Sequence, residues 1–152
     1  MTKRRQYDGN QARIVLFWIE LYIREKKRKD LNVNIKFDAF SVEHIFPQKY
    51  DAPDSDWDKD DNWKLSETEV VTDKKQFIQQ IGNLTLLDSK TNSKVSNSSW
   101  KEKREEYRKT TECLITTDEE FLDLKISNWN AEEIQKRTKK LMEIFFNVWK
   151  LE

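Results

Sequence analysis

The chain has 152 residues, of which 28 are basic and 28 acidic, and 36% are hydrophobic. This length suits one domain with a substantial core, and the six tryptophans, eight phenylalanines and four tyrosines supply large apolar side chains for it, which excludes a disordered chain. Because the charges balance, no overall positive field attracts nucleic acid, so a surface that binds nucleic acid has to be a local patch.

Helical periodicity marks both ends of the chain. Residues 11–29 carry apolar side chains every three or four positions, which predicts an amphipathic helix. The residues on its apolar face are Ile14, Phe17, Trp18, Leu21 and Tyr22. Near the other end, Asn130 is followed three residues later by Glu133, a capping-box spacing that predicts the start of a helix. The apolar stripe that follows, from Ile134 to Trp149, predicts a closing helix over residues 131–149.

The middle of the chain alternates between short predicted elements. Residues 32–42 alternate roughly between apolar and polar types and predict an extended segment that Pro47 ends. Residues 51–62 hold six aspartates and predict a solvated loop. We expect a short helix over residues 73–81, a turn at Gly82, a strand over 83–87, and a charged helical stretch over 92–109.

The number of cysteines and the length of the longest apolar stretch predict the cellular compartment of the protein. The one cysteine, Cys113, cannot form an internal disulfide, which favours a reducing environment. The longest uninterrupted apolar stretch, from Ile14 to Ile19, is too short to span a bilayer, and no signal-peptide core follows the first residues. We therefore expect a cytoplasmic protein without a membrane segment.

The only histidine, His44, is the candidate general base. An imidazole with an ordinary pKa of about 6.5 suits proton abstraction from water near neutral pH. The preceding Glu43 is a hard oxygen ligand that suits magnesium or manganese, and on a strand the two side chains would approach a phosphate from different sides. Taken by themselves, however, a lone histidine and its apolar neighbours Ile45 and Phe46 are more typical of a structural position.

Two asparagines form the second candidate group. Asn83 stands at the start of the predicted strand, where its amide could clamp a loop. Asn92 stands at the start of the following helical stretch, where its side-chain carbonyl oxygen could bind a metal ion. The residues alone leave open that Asn83 is a turn residue and that Asn92 is a helix cap.

Three ordered segments resemble the HNH nuclease signature: VEHIFPQ at residues 42–48, IGNLTLL at 81–87 and NSKVSN at 92–97. They particularly resemble the C-terminal nuclease domain of GmrSD-type modification-dependent restriction proteins. The first segment and the separation between Asn83 and Asn92 are also similar to the HNH domain of RNA-guided CRISPR nucleases. An acidic insert containing Trp57 and Trp63, and a closing helix that begins after Trp129, fit the GmrSD-type domain as well.

The resemblance implies one α+β, mostly helical domain over residues 1–152. A small ββα-metal (His-Me finger) core would span about 36–110, flanked by the helices over 11–29 and 131–149. In this arrangement His44 is the general base and Asn83 braces the loop that carries it. Glu43 and Asn92 hold a divalent ion, Mg²⁺ or Mn²⁺, since an oxygen-only ligand set lowers the case for zinc or nickel.

The resemblance also implies a substrate and partners. The substrate would be DNA, cut within a restriction or phage-defence system, with Lys94 and Lys103 expected to face its phosphates. Relatives usually carry an N-terminal nucleotide-hydrolysing sensor domain. The glycines of this chain, Gly9 and Gly82, cannot form a phosphate-binding loop, so such a sensor would lie in another segment or subunit.

Two alternatives use other features of the sequence. The residues Asp56, Asp58, Asp60 and Glu67 have the spacing of a calcium-binding loop, but Asp61 stands where such a loop requires glycine. The other alternative is a non-catalytic DNA-binding or protein-interaction domain that retains the nuclease fold. The intact set of candidate site residues argues against it.

Overall fold

The computed structural model describes residues 9–27, 36–57, 59, 63–109 and 113–150. Within these ranges, helices predominate and two strands form one antiparallel sheet. The elements in chain order are α1 (Gly9–Lys26), β1 (Phe40–His44), α2 (Lys75–Ile78), β2 (Leu84–Asp88), α3 (Ser89–Val95), α4 (Trp100–Tyr107), α5 (Leu114–Thr117) and α6 (Ala131–Val148). The expected mixture of many helices with a small two-stranded sheet is confirmed.

The sheet pairs β1 with β2 in a register that runs from Phe40 opposite Asp88 to His44 opposite Leu84. A 3-10 turn precedes each strand, at Phe37–Ala39 and at Ile81–Asn83. Within the segment predicted as extended over 32–42, residues 37–39 form a 3-10 turn and the strand begins at Phe40, while residues 32–35 lie outside the described ranges. The predicted second strand is present and is displaced by one residue.

The apolar face predicted for α1 is wrong in part. Ile14 and Trp18 are 48% and 44% exposed, so they lie on the outer side of the helix. The apolar residues that α1 buries are Ala12, Val15, Leu16, Ile19 and Ile23. This helix is apolar on most of its circumference between residues 12 and 23, so periodicity alone does not select the face that packs.

A buried carboxylate on α1 anchors a helix that the sequence did not predict. Glu20 is fully buried and accepts hydrogen bonds from the backbone N–H groups of Leu114 and Ile115, each at 2.8 Å. Arg24, one turn further along α1, pairs with the same carboxylate at 2.8 Å. Because helix N-termini carry unpaired N–H groups, this carboxylate stabilises the start of the short helix α5.

The charged stretch predicted as one helix over 92–109 is divided into α3 and α4. The break follows Ser96, which has a positive φ of 31° and lies at the end of α3. A new helix then starts with a reciprocal capping box, in which Ser99 accepts from the N–H of Glu102 and the Glu102 carboxylate accepts from the N–H of Ser99. This capping box explains why the chain starts a second helix instead of continuing the first.

The acidic insert is less solvated than its composition suggests. Trp57 and Trp63 are 6% and 1% exposed, and their rings pack against Phe46 with centroid distances of 5.7 and 4.3 Å. The prediction of a solvated loop over 51–62 is therefore wrong for Trp57. Asp58 and Asp60 of the calcium-loop hypothesis lie outside the described residues.

The C-terminal helix α6 packs against the 3-10 turn that leads into β2. A Cβ atom at Gly82 would lie within 3 Å of the Ile134 carbonyl oxygen and of Thr138, a separation that real Cβ atoms do not adopt. The Gly82 N–H also donates to Thr138 Oγ1 at 3.0 Å. Glycine is thus required here for the close approach of two backbones. The start of α6 follows its prediction, because the Asn130 side chain accepts from the Glu133 N–H.

Two apolar clusters form the core on either side of the sheet region. One gathers the aromatic residues around Phe46 and Trp129, and the other gathers the buried side of α1 with Leu84 and Leu86. No helix in the described part of the chain has both the length and the apolar character needed to cross a membrane.

Candidate functional site

A cavity of about 580 Å³ lies beside the end of β1 and the helix α3. Three residues predicted to form the site line this cavity: Glu43 and His44 from β1, and Asn92 from α3. Lys49, from the turn after β1, and Ser96 and Asn97, from the end of α3, also line it. The two strands and α3 therefore bring together residues that are about 50 positions apart in the chain.

His44 is held by a hydrogen bond to one of its ring nitrogens. Its Nε2 lies 3.1 Å from Gln79 Oε1. An amide oxygen only accepts, so Nε2 carries the hydrogen and Nδ1 keeps its lone pair in the neutral ring. Burial lowers the pKa of His44 below its ordinary value and the positive charge of Lys103 lowers it further, while the bond to Gln79 works in the opposite direction. The neutral, proton-accepting form is therefore favoured near neutral pH.

Asn83 is joined to the segment that follows His44. Its Oδ1 accepts from the Phe46 N–H at 2.7 Å and from Trp129 Nε1 at 3.0 Å. Its Nδ2 donates to the carbonyl oxygens of Phe46 at 2.9 Å and Ile78 at 3.0 Å. These four bonds use the whole hydrogen-bonding capacity of a fully buried amide. The geometry gives Asn83 no direct access to the cavity and makes it a positioning residue.

Asn92 has a fixed amide orientation. Its Nδ2 donates to Ser41 Oγ at 2.7 Å and to the Val42 carbonyl oxygen at 3.0 Å. A carbonyl oxygen cannot donate, so the nitrogen has to face the strand, which leaves Oδ1 as the free end of the amide. This orientation matches what a metal ligand requires, because Oδ1 is the only atom of the amide with lone pairs available.

Glu43 is part of a buried group of three side chains. Its Oε1 accepts from Lys103 Nζ at 2.6 Å and from the Tyr107 hydroxyl at 2.7 Å. Lys103 Nζ donates as well to the His44 carbonyl oxygen at 2.7 Å. Both donors come from α4, one turn apart, and neither side chain is exposed.

Within this group, the interactions between Glu43 and Lys103 oppose the effect of burial on their pKa values. Burial raises the pKa of Glu43, whereas the charge and hydrogen bond of Lys103 and the bond from Tyr107 lower it. Burial also lowers the pKa of Lys103, and the Glu43 carboxylate works against that change. The pKa of the Tyr107 phenol lies well above its ordinary value, first because of burial and then because of the adjacent carboxylate, so Tyr107 remains a donor.

The two lysines predicted to contact phosphate have different positions. Lys94 is 63% exposed and pairs with Glu106 at 2.9 Å. Lys103 is 0% exposed and turns into the protein, toward Glu43. The structure therefore differs from the surface position expected for Lys103, because its ammonium group is engaged by a carboxylate and a backbone carbonyl. A side chain in this position cannot contact DNA directly.

The sequence analysis did not identify Gln79, Ser41 and Tyr107, which hydrogen-bond to His44, Asn92 and Glu43, respectively. Gln79 lies directly after α2, Ser41 lies two residues before Glu43, and Tyr107 ends α4. Only the spacing of Lys103 and Tyr107, which places both on one face of a helix, offered a signal. No group of three or more His, Cys, Asp or Glu side chains suited to a metal ion occurs in the described ranges, so a bound ion would rely on Glu43, Asn92 and other oxygen ligands.

The chain matches the family described as GmrSD restriction endonucleases, C-terminal domain, over residues 1–144. No curated protein and no solved structure gives a match. The family match covers nearly the whole chain, including both strands, α3 and the residues around the cavity, and it confirms the resemblance to the GmrSD-type C-terminal domain. The chain therefore belongs to the family of C-terminal domains of GmrSD restriction endonucleases.

Proposed function

We propose that this chain is a metal-dependent endonuclease of the HNH type, which hydrolyses phosphodiester bonds in DNA. The observation that carries the proposal is the convergence of Glu43, His44 and Asn92 on one cavity. The cavity volume of about 580 Å³ lies within the range of about 300–1,000 Å³ that is usual for small-molecule sites, so a phosphodiester group fits. The element order β1, β2, α3, with the cavity lined by β1 and α3, supports a ββα-metal core.

His44 acts as the general base in this proposal. Its Nδ1 accepts a proton from water while the water oxygen forms a bond to phosphorus and the bond from phosphorus to the leaving oxygen breaks. Gln79 keeps the hydrogen on Nε2 and so holds the ring in the tautomer that this step requires. Asn83 positions His44 from outside the cavity by fixing the backbone at Phe46.

The residues present fit a hard divalent ion. The Glu43 carboxylate and the Asn92 side-chain oxygen both belong to residues that line the cavity, and oxygen ligands suit Mg²⁺ or Mn²⁺. When bound, such an ion supplies positive charge that stabilises the charge developing on the phosphate and the leaving oxygen. Ser41 and Val42 hold the amide of Asn92 so that its oxygen is the available atom.

Lys94 is the lysine that we assign to DNA. Its side chain is exposed, and its partner Glu106 could be exchanged for a DNA phosphate at little cost, because exposed ion pairs contribute only about 0–1 kcal/mol. Lys103 has a different role, which is to keep Glu43 and the His44 carbonyl oxygen together.

The family supports a biological setting for this activity. A domain of restriction endonucleases that is described as C-terminal implies a partner on its N-terminal side. We propose that this partner is a nucleotide-hydrolysing sensor domain or subunit that recognises invading or modified DNA in the cell. In this arrangement the balanced charge of the chain gives it weak affinity for DNA by itself, and the sensor brings the substrate.

Cleavage of supercoiled plasmid tests the proposal. We expect nicked or linear product with Mg²⁺ or Mn²⁺ and none with a chelator. His44→Ala should reduce the rate by about 10²-fold or more, the usual contribution of a general base. A matched control is Lys139→Ala, which changes an exposed residue of α6 that does not line the cavity and should cut like the unsubstituted protein.

Two results would contradict this proposal. Equal cutting by His44→Ala and the unsubstituted protein would indicate a contaminating nuclease and remove the assigned base. Binding of DNA by the folded protein without any cutting, on modified and unmodified plasmid and with either metal, would favour the non-catalytic alternative.

A further inference from the structure

The two oxygens of the Glu43 carboxylate have different surroundings. Both hydrogen bonds that the described residues donate to this carboxylate end on Oε1, from Lys103 at 2.6 Å and Tyr107 at 2.7 Å. Each carboxylate oxygen has about two lone-pair directions. Two short hydrogen bonds therefore fill the capacity of Oε1, and Oε2 is the oxygen left for a ligand in the cavity that Glu43 lines.

The two donors are held in place by α4. Lys103 and Tyr107 are each 0% exposed, and the Tyr107 ring packs against Trp100 with a centroid distance of 6.4 Å. The second hydrogen bond of Lys103, to the His44 carbonyl oxygen, ties its ammonium group to β1. Neither donor can leave Oε1 without disturbing the core, so the asymmetry of the carboxylate is a stable property of the site.

We propose that Lys103 and Tyr107 are positioning residues that make Glu43 a ligand through one oxygen only, and that they thereby select Mg²⁺ or Mn²⁺ against Ca²⁺. This inference rests on the proposed metal-dependent function. Mg²⁺ binds few protein oxygens in an octahedral arrangement and keeps several waters. Ca²⁺ takes six to eight oxygens and often binds both oxygens of a carboxylate.

The second ligand strengthens the same selection. Asn92 is tied by its Nδ2 to Ser41 and Val42, so it also offers one oxygen and cannot turn to offer more. The site thus presents two single oxygens from two elements that are joined by hydrogen bonds. Mg²⁺ or Mn²⁺ keeps several coordinated waters and therefore needs only these two protein oxygens. Ca²⁺ gives up more of its waters, and the site offers too few protein oxygens to replace them.

Competition between Mn²⁺ and Ca²⁺ measures this selection directly. Bound Mn²⁺ is followed by electron paramagnetic resonance while Ca²⁺ is added, so the readout does not depend on DNA cleavage. Tyr107→Phe removes only the hydroxyl and frees one lone pair of Oε1. We expect Ca²⁺ to compete about tenfold better in this variant, the factor that corresponds to about one net hydrogen bond. Tyr22→Phe, on α1 and away from the cavity, is the matched control and should leave the ratio unchanged.

The outcomes separate this inference from the proposed function. An unchanged Ca²⁺-to-Mn²⁺ ratio in folded Tyr107→Phe would overturn the inference and leave the nuclease proposal intact. A protein that binds no Mn²⁺, with or without a short DNA duplex, would contradict both.

A second measurement on the unsubstituted protein keeps the inference testable if the variant does not fold. In a Mn²⁺-minus-apo infrared difference spectrum, the two carboxylate stretching bands lie further apart for binding through one oxygen than through two. We expect the wide separation, and Glu43→Gln should remove these bands. A narrow separation would overturn the inference.

Discussion

Lys103 and Arg137 are both buried cations, and their surroundings differ. Lys103, beside the cavity, is paired with the carboxylate of Glu43. Arg137, on α6, is 5% exposed, and its hydrogen bonds within the described residues go to neutral oxygens. These acceptors are the backbone oxygens of Phe121, Gly82, Leu84 and Ile115 and the hydroxyl of Thr85.

The difference indicates two roles: Arg137 stabilises the fold, and Lys103 holds a carboxylate that lines the cavity. The planar guanidinium of Arg137 has five donors, which reach several chain segments at once and pin α6 to the start of β2. Burial lowers the pKa of Arg137 to about 9, so the group stays charged at neutral pH. Lys103 instead stabilises an anion that also faces the cavity. Arg137 therefore holds several chain segments together, whereas Lys103 holds the carboxylate that we propose as a metal ligand.

Removing the buried guanidinium of Arg137 should have the largest effect on stability. Arg137→Leu leaves buried carbonyl oxygens without donors, and we expect a loss of about 3–5 kcal/mol in the free energy of unfolding. Urea denaturation followed by tryptophan fluorescence measures it. Arg137→Lys keeps the charge but not the fork of donors, and should recover only part of the loss. A loss below about 1 kcal/mol for Arg137→Leu, similar to that of an exposed control, would contradict the structural role.

Removing the buried ammonium group of Lys103 should lower the free energy of unfolding by a smaller amount. Lys103→Met leaves the Glu43 carboxylate with Tyr107 alone, but this carboxylate lines the cavity and can recruit water or a proton. We expect a loss of about 2 kcal/mol in the free energy of unfolding, measured by urea denaturation. Adding Glu43→Gln to Lys103→Met should recover part of the lost stability, because it removes the uncompensated negative charge. If the double variant is as unstable as the sum of the single changes, the two residues are not coupled.

An exposed cation should hardly affect stability. Lys94→Ala removes an exposed pair with Glu106 and should change the free energy of unfolding by no more than about 0.5 kcal/mol. Binding of DNA should weaken similarly for all sequences, and the slope of log affinity against log salt should fall by about 1 if Lys94 contacts one phosphate. An unchanged slope would exclude that contact. Lys139→Ala is the control, since it removes an equal charge from α6.

The candidate site residues are easier to identify from the sequence than the residues that hold them in place. His44, Asn83 and Asn92 stand in short contiguous motifs, so local sequence was enough to single them out. The burial of Lys103 depends on Glu43, which is 60 positions away in the chain, and its own neighbours form a charged run that is typical of a solvated helix. Local pattern does not contain that contact.

The fold shows the same division between local and distant information. The start of α6 is predictable because the cap at Asn130 is a local hydrogen bond. The packed face of α1 is not, because apolar residues surround most of the helix and only the position of α5 and α6 decides which of them is buried. The sequence places Trp57 in a solvated loop for a similar reason, because its neighbours are acidic and its packing partner Phe46 lies outside that loop.

The bond between Trp129 and Asn83 bears on how the protein is made. It joins residues that are 46 positions apart, and Gly82 beside Asn83 contacts the still later helix α6. During synthesis the ribosome releases His44, Asn83 and Asn92 before Trp129 and α6, and a nascent chain of that length lacks the indole N–H that donates to Asn83 Oδ1 in the folded domain. The set of hydrogen bonds that holds Asn83, and with it the backbone beside His44, is therefore complete only when nearly the whole domain has emerged, so we expect the proposed nuclease activity to begin late in the translation of this domain.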